Sequence, residues 1–181
     1  GAFLRFAVLR LVPVHSAGLE SIPHLGRMRE YLRHARSIQA DLVALRRDIH
    51  RHPELAFHET RTAGLAADAV EAAGLKVRRG VGSGTAVVAE VRNGEGPIVV
   101  LRADMDALPI RETNEVEYRS VVAGAMHACG HDAHTAMLVG AGRLLADAAA
   151  DGELPAGTVR LLFQPAEEKA DADNRSGAAH L

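Results

Sequence analysis

The sequence predicts an α/β fold, a mixed and largely parallel sheet with helices on both faces. Two observations carry this. Amphipathic stretches alternate with short β-type runs along the chain, the order that builds a sheet with helices packed on it. One of those runs, Ile98–Leu101, is continuously apolar, as expected of a strand covered on both faces, and Thr158–Phe163 reads as another buried strand.

Element by element, Leu32, Ala35, Ile38, Leu42, Leu45 and Ile49 recur at intervals of three and four, which predicts one amphipathic helix from Met28 until Pro53 stops it. Glu59-Thr60 opens a second, alanine-rich helix that Gly74 ends. Strands follow at Leu75–Arg78, Thr85–Val91 and Pro97–Ala103, with Asn93-Gly94 predicting a hairpin between the last two. A third helix is expected from His134 to Ala149, and Thr158–Phe163 is expected as a buried strand. Residues 1–27 show no clean periodicity and stay unassigned. Residues 169–181 are small, polar and aperiodic, which predicts a disordered tail.

The bulk numbers exclude several functions. A net charge of −2 gives no electrostatic footprint for nucleic acid. An aromatic content of 3% leaves no stacking platform for single strands. No apolar run approaches the ~20 residues that a membrane span needs. The lone cysteine, Cys129, rules out an internal disulfide and fits a reducing compartment, so a cytoplasmic protein is expected.

Chemistry concentrates where strands end, the usual place for function in such sheets. In His127-Ala128-Cys129-Gly130-His131-Asp132-Ala133-His134, a thiolate and an imidazole flank a glycine turn. Sulfur and nitrogen donors suit zinc or a related cation, although a free thiol also behaves as a small apolar group. Gln164-Pro165-Ala166-Glu167-Glu168 follows a strand, and its adjacent carboxylates point apart, so one can bind a cation while the other holds a water. An ordinary acidic loop has the same composition. Arg102-Ala103-Asp104-Met105-Asp106 offers two carboxylates as ligands, as groups that orient a histidine, or as plain strand terminators. The three clusters complement one another as ligands, base and orienter.

With Arg46–Leu55, Leu101–Ile110, Met126–His134 and Phe163–Glu168 in order, the chain resembles the aminoacylase/carboxypeptidase-type zinc metallopeptidases. The nearest branch comprises hippurate hydrolases, N-acyl-amino-acid amidohydrolases and auxin-conjugate hydrolases. The resemblance implies the N-terminal part of a metallopeptidase catalytic domain over residues 28–168, without the lid or dimerisation domain.

It implies Cys129, His131 and Glu168 as metal ligands, Glu167 as the general base and Asp106 as a catalytic support of the site. The cofactor implied is a pair of divalent cations per complete site, Zn2+ first, with Mn2+, Ni2+ or Co2+ as alternatives. His50 and His52 are expected to be structural. The substrate implied is a small N-acylated amino acid or peptide-like molecule, cleaved at its amide bond.

The family's further histidine ligands have no counterpart in the thirteen residues after Glu168, and His180 stands too early to match them. The glycine-rich continuation of the family is replaced by Lys169–Asn174. Poor or absent turnover is therefore expected of the chain by itself, and a non-catalytic metal-binding or interaction remnant of the same fold is the alternative. A homodimer is expected only of full-length relatives.

Overall fold

The computed structural model describes residues 23–181. Helix α1 (Pro23–Ser37) leads into α2 (Gln39–Arg51), and α3 (Thr60–Ala72) precedes strands β1 (Lys76–Val81), β2 (Ala86–Asn93) and β3 (Ile98–Asp104). Helix α4 (His131–Ala150) then crosses to β4 (Gly157–Gln164). The long helix predicted from Met28 starts earlier and is divided at Ile38, where φ is −95° and ψ 0°. Helical hydrogen bonds still run through the break, from Ile38 N–H to the His34 carbonyl and from Leu42 N–H to that of Ile38.

The sheet order is β1-β2-β4-β3, which makes a mixed four-stranded sheet. β1 with β2 and β2 with β4 are antiparallel, and only β3 with β4 is parallel, so the sheet is less parallel than expected. The hairpin expected at Asn93-Gly94 does not form between β2 and β3. The chain does turn there, with Gly94 and Gly96 both at positive φ. However, β4 inserts between the two strands and takes seven residue pairs with each. Asn93 instead bonds the Leu154 carbonyl just before β4. A turn signal specifies a reversal of direction, not which strand becomes the neighbour.

One side of the sheet carries the core. Val87, Ala89, Leu161, Phe163 and Ala103 pack against Ala63, Ala66, Ala67 and Val70 of α3 and Leu138 and Val139 of α4. The approach of α4 is close because it presents glycines inward. A Cβ on Gly142 would stand 2.9 Å from Leu161, and one on Gly140 would stand 2.6 Å from Leu42. Both sheet-packing helices lie on this face, and the second helix layer expected from the sequence is not found among the described residues.

β3 departs furthest from its sequence reading. Ile98, Val99 and Val100 are 50–56% exposed, not covered on both faces, because β3 is an edge strand with no partner beyond it among the described residues.

The expected disordered tail is instead packed on the domain. Asp171 accepts the amide N–H groups of Asp173 and Arg175, which closes a loop, and a 3-10 turn follows at Gly177–His180. The Gly177 amide donates to the Ala166 carbonyl (2.9 Å), and a Cβ there would fall 1.7 Å from the Pro165 carbonyl oxygen. His180 reaches Asp171 Oδ2 at 2.8 Å and sets its ring edge-on to Phe57. Local polar loops of this kind leave no periodic trace in a sequence.

An unpaired apolar edge is a template for further strand pairing. Replacing Ile98 and Val100 by lysine is expected to lower concentration-dependent self-association, read by sedimentation velocity. Folding stability should change by no more than about 0.5 kcal/mol, as for other surface substitutions. Unchanged self-association would show that the edge is not where copies meet.

Candidate metal centre

The centre assembles at the carboxyl ends of the parallel pair β3 and β4, together with the start of α4 between them. β3 delivers Asp104 at its end and Asp106 just beyond it. β4 ends at Gln164, and its register with Asp104 brings the Gln164–Glu168 loop alongside. Gly130, at φ +85°, turns the chain into α4, so that His131 becomes its first residue and Cys129 stays outside. The sequence expectation began this helix three residues later.

Asp106 is buried, at 1% exposure, and organises the rest. Its two carboxylate oxygens accept the amide N–H groups of Glu167 (3.1 Å) and Glu168 (3.0 Å). His131 donates from Nδ1 to the Asp106 main-chain carbonyl (2.9 Å), and the same nitrogen lies 3.3 Å from Oδ1. A carbonyl can only accept, so Nδ1 carries the proton and Nε2 is the nitrogen left to bind a cation.

Burial pushes the Asp106 carboxyl upward, but the bonds from His131 and the two amides outweigh it, and its pKa lies below the ordinary value. Burial acts to lower His131, but the bonds to Asp106 win and hold its pKa above the ordinary value.

Three of the expected ligands meet. One donor atom each from Cys129, His131 and Glu168 lies within 4.8 Å of the others, with His131 buried and the other two exposed. Thiolate, imidazole and carboxylate at such spacing fit a zinc-type cation. Without a cation, the Glu168 carboxylate beside Cys129, followed by partial burial and the charges of Glu167 and Asp106, holds the thiol above its ordinary pKa. A thiol surrounded by acids releases its proton readily only when a positive charge arrives. Glu167 sits next to this set with its side chain exposed.

Asp104, His131 and His134 form a second group within 4.8 Å of one another, and Asp104 Oδ1 is buried without a hydrogen-bond partner. His131 is common to both groups.

Behind the centre lies a buried polar network. His50 offers Nδ1 to Asp132 Oδ2 (2.8 Å) and Nε2 to Glu112 Oε1 (3.1 Å). Both nitrogens can donate at once only in the imidazolium form. Arg46 Nε stands 2.7 Å from the same Asp132 oxygen, although its N–H is not aligned on it. Tyr118 lies against Arg46, Arg47 and the edge of His50. The expected structural role of His50 agrees with this setting. His52 is half-exposed and bonds only its own helix, at the Asp48 carbonyl. His127 is buried with both ring nitrogens unpartnered, and burial first, then the nearby His50 and His131, take its pKa down to about 4 against the pull of Asp132 and Asp106.

Sequence reasoning missed Glu112, Asp132 and Glu59 as structural anchors. Asp132 stood within a quoted motif, and Glu59 was read only as the opening of a helix. Glu112 carries no local signal, since its partners His50, Asn114 and the Ser120 amide are assembled by folding.

These bonds make Glu112 a contributor to acid stability. Burial raises its carboxyl, but the Ser120 amide, His50 and Asn114 outweigh it, and the net shift is downward from 4.5. A depressed folded pKa contributes stability in full above 4.5, and that stability is lost as pH falls through the folded value. Urea denaturation on either side of pH 4.5 is therefore expected to show a shallower acid loss for Glu112→Gln than for the parent. An identical slope would remove Glu112 from the acid response.

Comparison with known proteins agrees with the motifs. Residues 100–181 match the model of peptidase family M20/M25/M40, a span that includes the tail set apart as divergent by sequence reading. Thermostable carboxypeptidase 2 of Saccharolobus solfataricus is 48% identical over 134 residues, which are 74% of this chain and 33% of that protein. An IAA-amino acid hydrolase of Arabidopsis thaliana is 48% identical over 127 residues, 70% of this chain and 28% of its own length. N-acetylcysteine deacetylase of Bacillus subtilis is 44% identical over 128 residues, 70% and 33% of the two chains. Among solved structures, a dinuclear metal binding peptidase from Bacillus subtilis superposes with a TM-score of 0.67 and 41% identity, covering 74% of this chain and 36% of that one. The chain spans about a third of the length of the curated relatives it matches.

Proposed function

Because residues 100–181 match the model of peptidase family M20/M25/M40, we propose that this chain carries the general base and one half of the metal shell of a metal-dependent amidohydrolase. The observation that carries the proposal is the meeting of Cys129, His131 and Glu168 donor atoms within 4.8 Å, beside Glu167. The substrate class is a small N-acylated amino acid or peptide-like molecule. The names of the deacetylase, the plant hydrolase and the carboxypeptidase support that class.

Divalent cations held by Cys129, His131 and Glu168 would supply Lewis acidity toward the scissile carbonyl, with zinc first on donor chemistry and manganese, nickel or cobalt as alternatives. Glu167 takes a proton from the attacking water and passes it to the nitrogen of the leaving amine. It suits that role because its backbone is fixed while its carboxylate remains exposed. Asp106 does not meet substrate in this scheme. Both its oxygens are engaged by the amides of Glu167 and Glu168, so it positions the base and a ligand, and through Nδ1 it orients His131.

No helix among the described residues is long and apolar enough to cross a membrane. The single cysteine supports placement in the reducing cytoplasm.

Elemental analysis after dialysis against Zn2+ or Mn2+ tests the shell, with near-stoichiometric metal expected for the parent and loss expected for Cys129→Ala. Hydrolysis of N-acetyl and N-benzoyl amino acids tests the base. Glu167→Gln is expected to lower kcat by about 10²–10⁴-fold at unchanged metal content, the usual range for removing a positioned proton-transfer group. A folded chain that binds no metal would overturn the reading. Turnover by the parent, however slow, that Glu167→Gln leaves unchanged would remove Glu167 as the base.

A further inference from the structure

Glu59 lies outside every motif that pointed to the centre, yet it is completely buried. It stands at the N-terminus of α3 but does not cap it, since none of its side-chain bonds goes to that helix. Its oxygens instead join three separate segments. Oε1 accepts the amide N–H groups of Phe57 (3.0 Å) and Ala166 (2.8 Å), while Oε2 accepts the Thr85 hydroxyl (2.8 Å). Among the described residues, Phe57 and Ala166 are two of the three non-glycine positions with positive φ, at 67° and 50°. Such backbone costs on the order of 1–3 kcal/mol per residue and persists only where its surroundings over-determine it. Here the same carboxylate oxygen holds both.

Ala166 immediately precedes Glu167 and Glu168. Three consecutive amides, 166 to 168, thus turn inward onto two buried carboxylates, the first onto Glu59 and the next two onto Asp106. With the amides inward, Glu167 stays exposed, while the Glu168 side chain, only partly exposed, stands beside Cys129 and His131.

We propose that Glu59 is a positioning residue of the metal centre, fixing the left-handed turn at Ala166 through its amide and so setting where Glu167 and Glu168 point. The proposal rests on the amidohydrolase reading for its purpose, but not for its physical content.

The test reads position directly. Hydrogen exchange of the Glu167 and Glu168 amides, which bond Asp106 and not Glu59, is expected to accelerate at least tenfold in Glu59→Ala, while Val139 and Leu161 in the core keep their protection. Glu59→Gln, whose carbonyl can still accept both amides, is expected to restore protection. Glu59→Asp, which withdraws the carboxylate from Ala166 at unchanged charge, serves where the alanine variant fails to fold, and the same loss is expected of it. Wild-type protection at 167 and 168 in folded Glu59→Ala or Glu59→Asp would overturn the proposal, as would loss spread equally over the core.

A Co2+ titration followed by the thiolate charge-transfer band adds a functional readout, with at least tenfold weaker binding expected in Glu59→Ala and recovery in Glu59→Gln. Absence of that band in the parent, with the amide result intact, would sink the metal reading and leave the positioning role standing.

Discussion

The buried Asp106 carboxylate is the constraint on which the centre depends. A single ionised group inside the fold must be compensated, and here compensation comes from three directions: two loop amides and one imidazole. Each partner is thereby fixed. The Glu167 and Glu168 backbone cannot swing, and His131 cannot change its tautomer. Removing the charge would cost little in desolvation, but it would release all three partners at once. Groups of this kind are expected beside metals, where the residues that hold the ligands matter nearly as much as the ligands themselves.

The same logic extends away from the centre. His50 lies between Asp132 and Glu112, which tie α2 to the first turn of α4 and to the long connection before it. Asp132 neighbours His131 in sequence, so the network that holds α2 also holds the end of α4 that presents a ligand. Polar burial is costly unless every partner is in place. Through Asp132 these partners bear on the turn of α4 that carries His131.

Much of this was legible in the sequence. The 3.6-residue periodicity located α2, the opening at Glu59-Thr60 and the stop at Gly74 located α3, β-type runs located all four strands, and the family resemblance implied Cys129, His131 and Glu168 as a ligand set. What was not legible was relational. Nothing near Asn93-Gly94 says that β4, which begins some sixty residues later, will separate β2 from β3. The apolar run at Ile98–Leu101 reads the same whether or not a neighbour covers it, and here it is exposed. The loop after Glu168 is held by Asp171, Gly177 and His180, none of them part of a periodic pattern. Glu59 was hidden for the same reason, since a glutamate before a helix looks like a cap whichever way its side chain turns.

The strand order also sets a timetable. A chain made from its N-terminus completes β1 and β2 as a local antiparallel pair, but β3 emerges with no strand to join. Its partner β4 begins roughly fifty residues after β3 ends, beyond the whole of α4. At the usual synthesis rate of about 5–20 residues per second, Ile98–Leu101 waits on the order of 3–10 seconds as a bare apolar segment. During that interval the nascent chain presents a hydrophobic stretch of the type that chaperones hold. The parallel pair whose ends carry the metal centre is thus the last part of the sheet to be assembled, and the ligands on either side of α4 cannot meet until it closes.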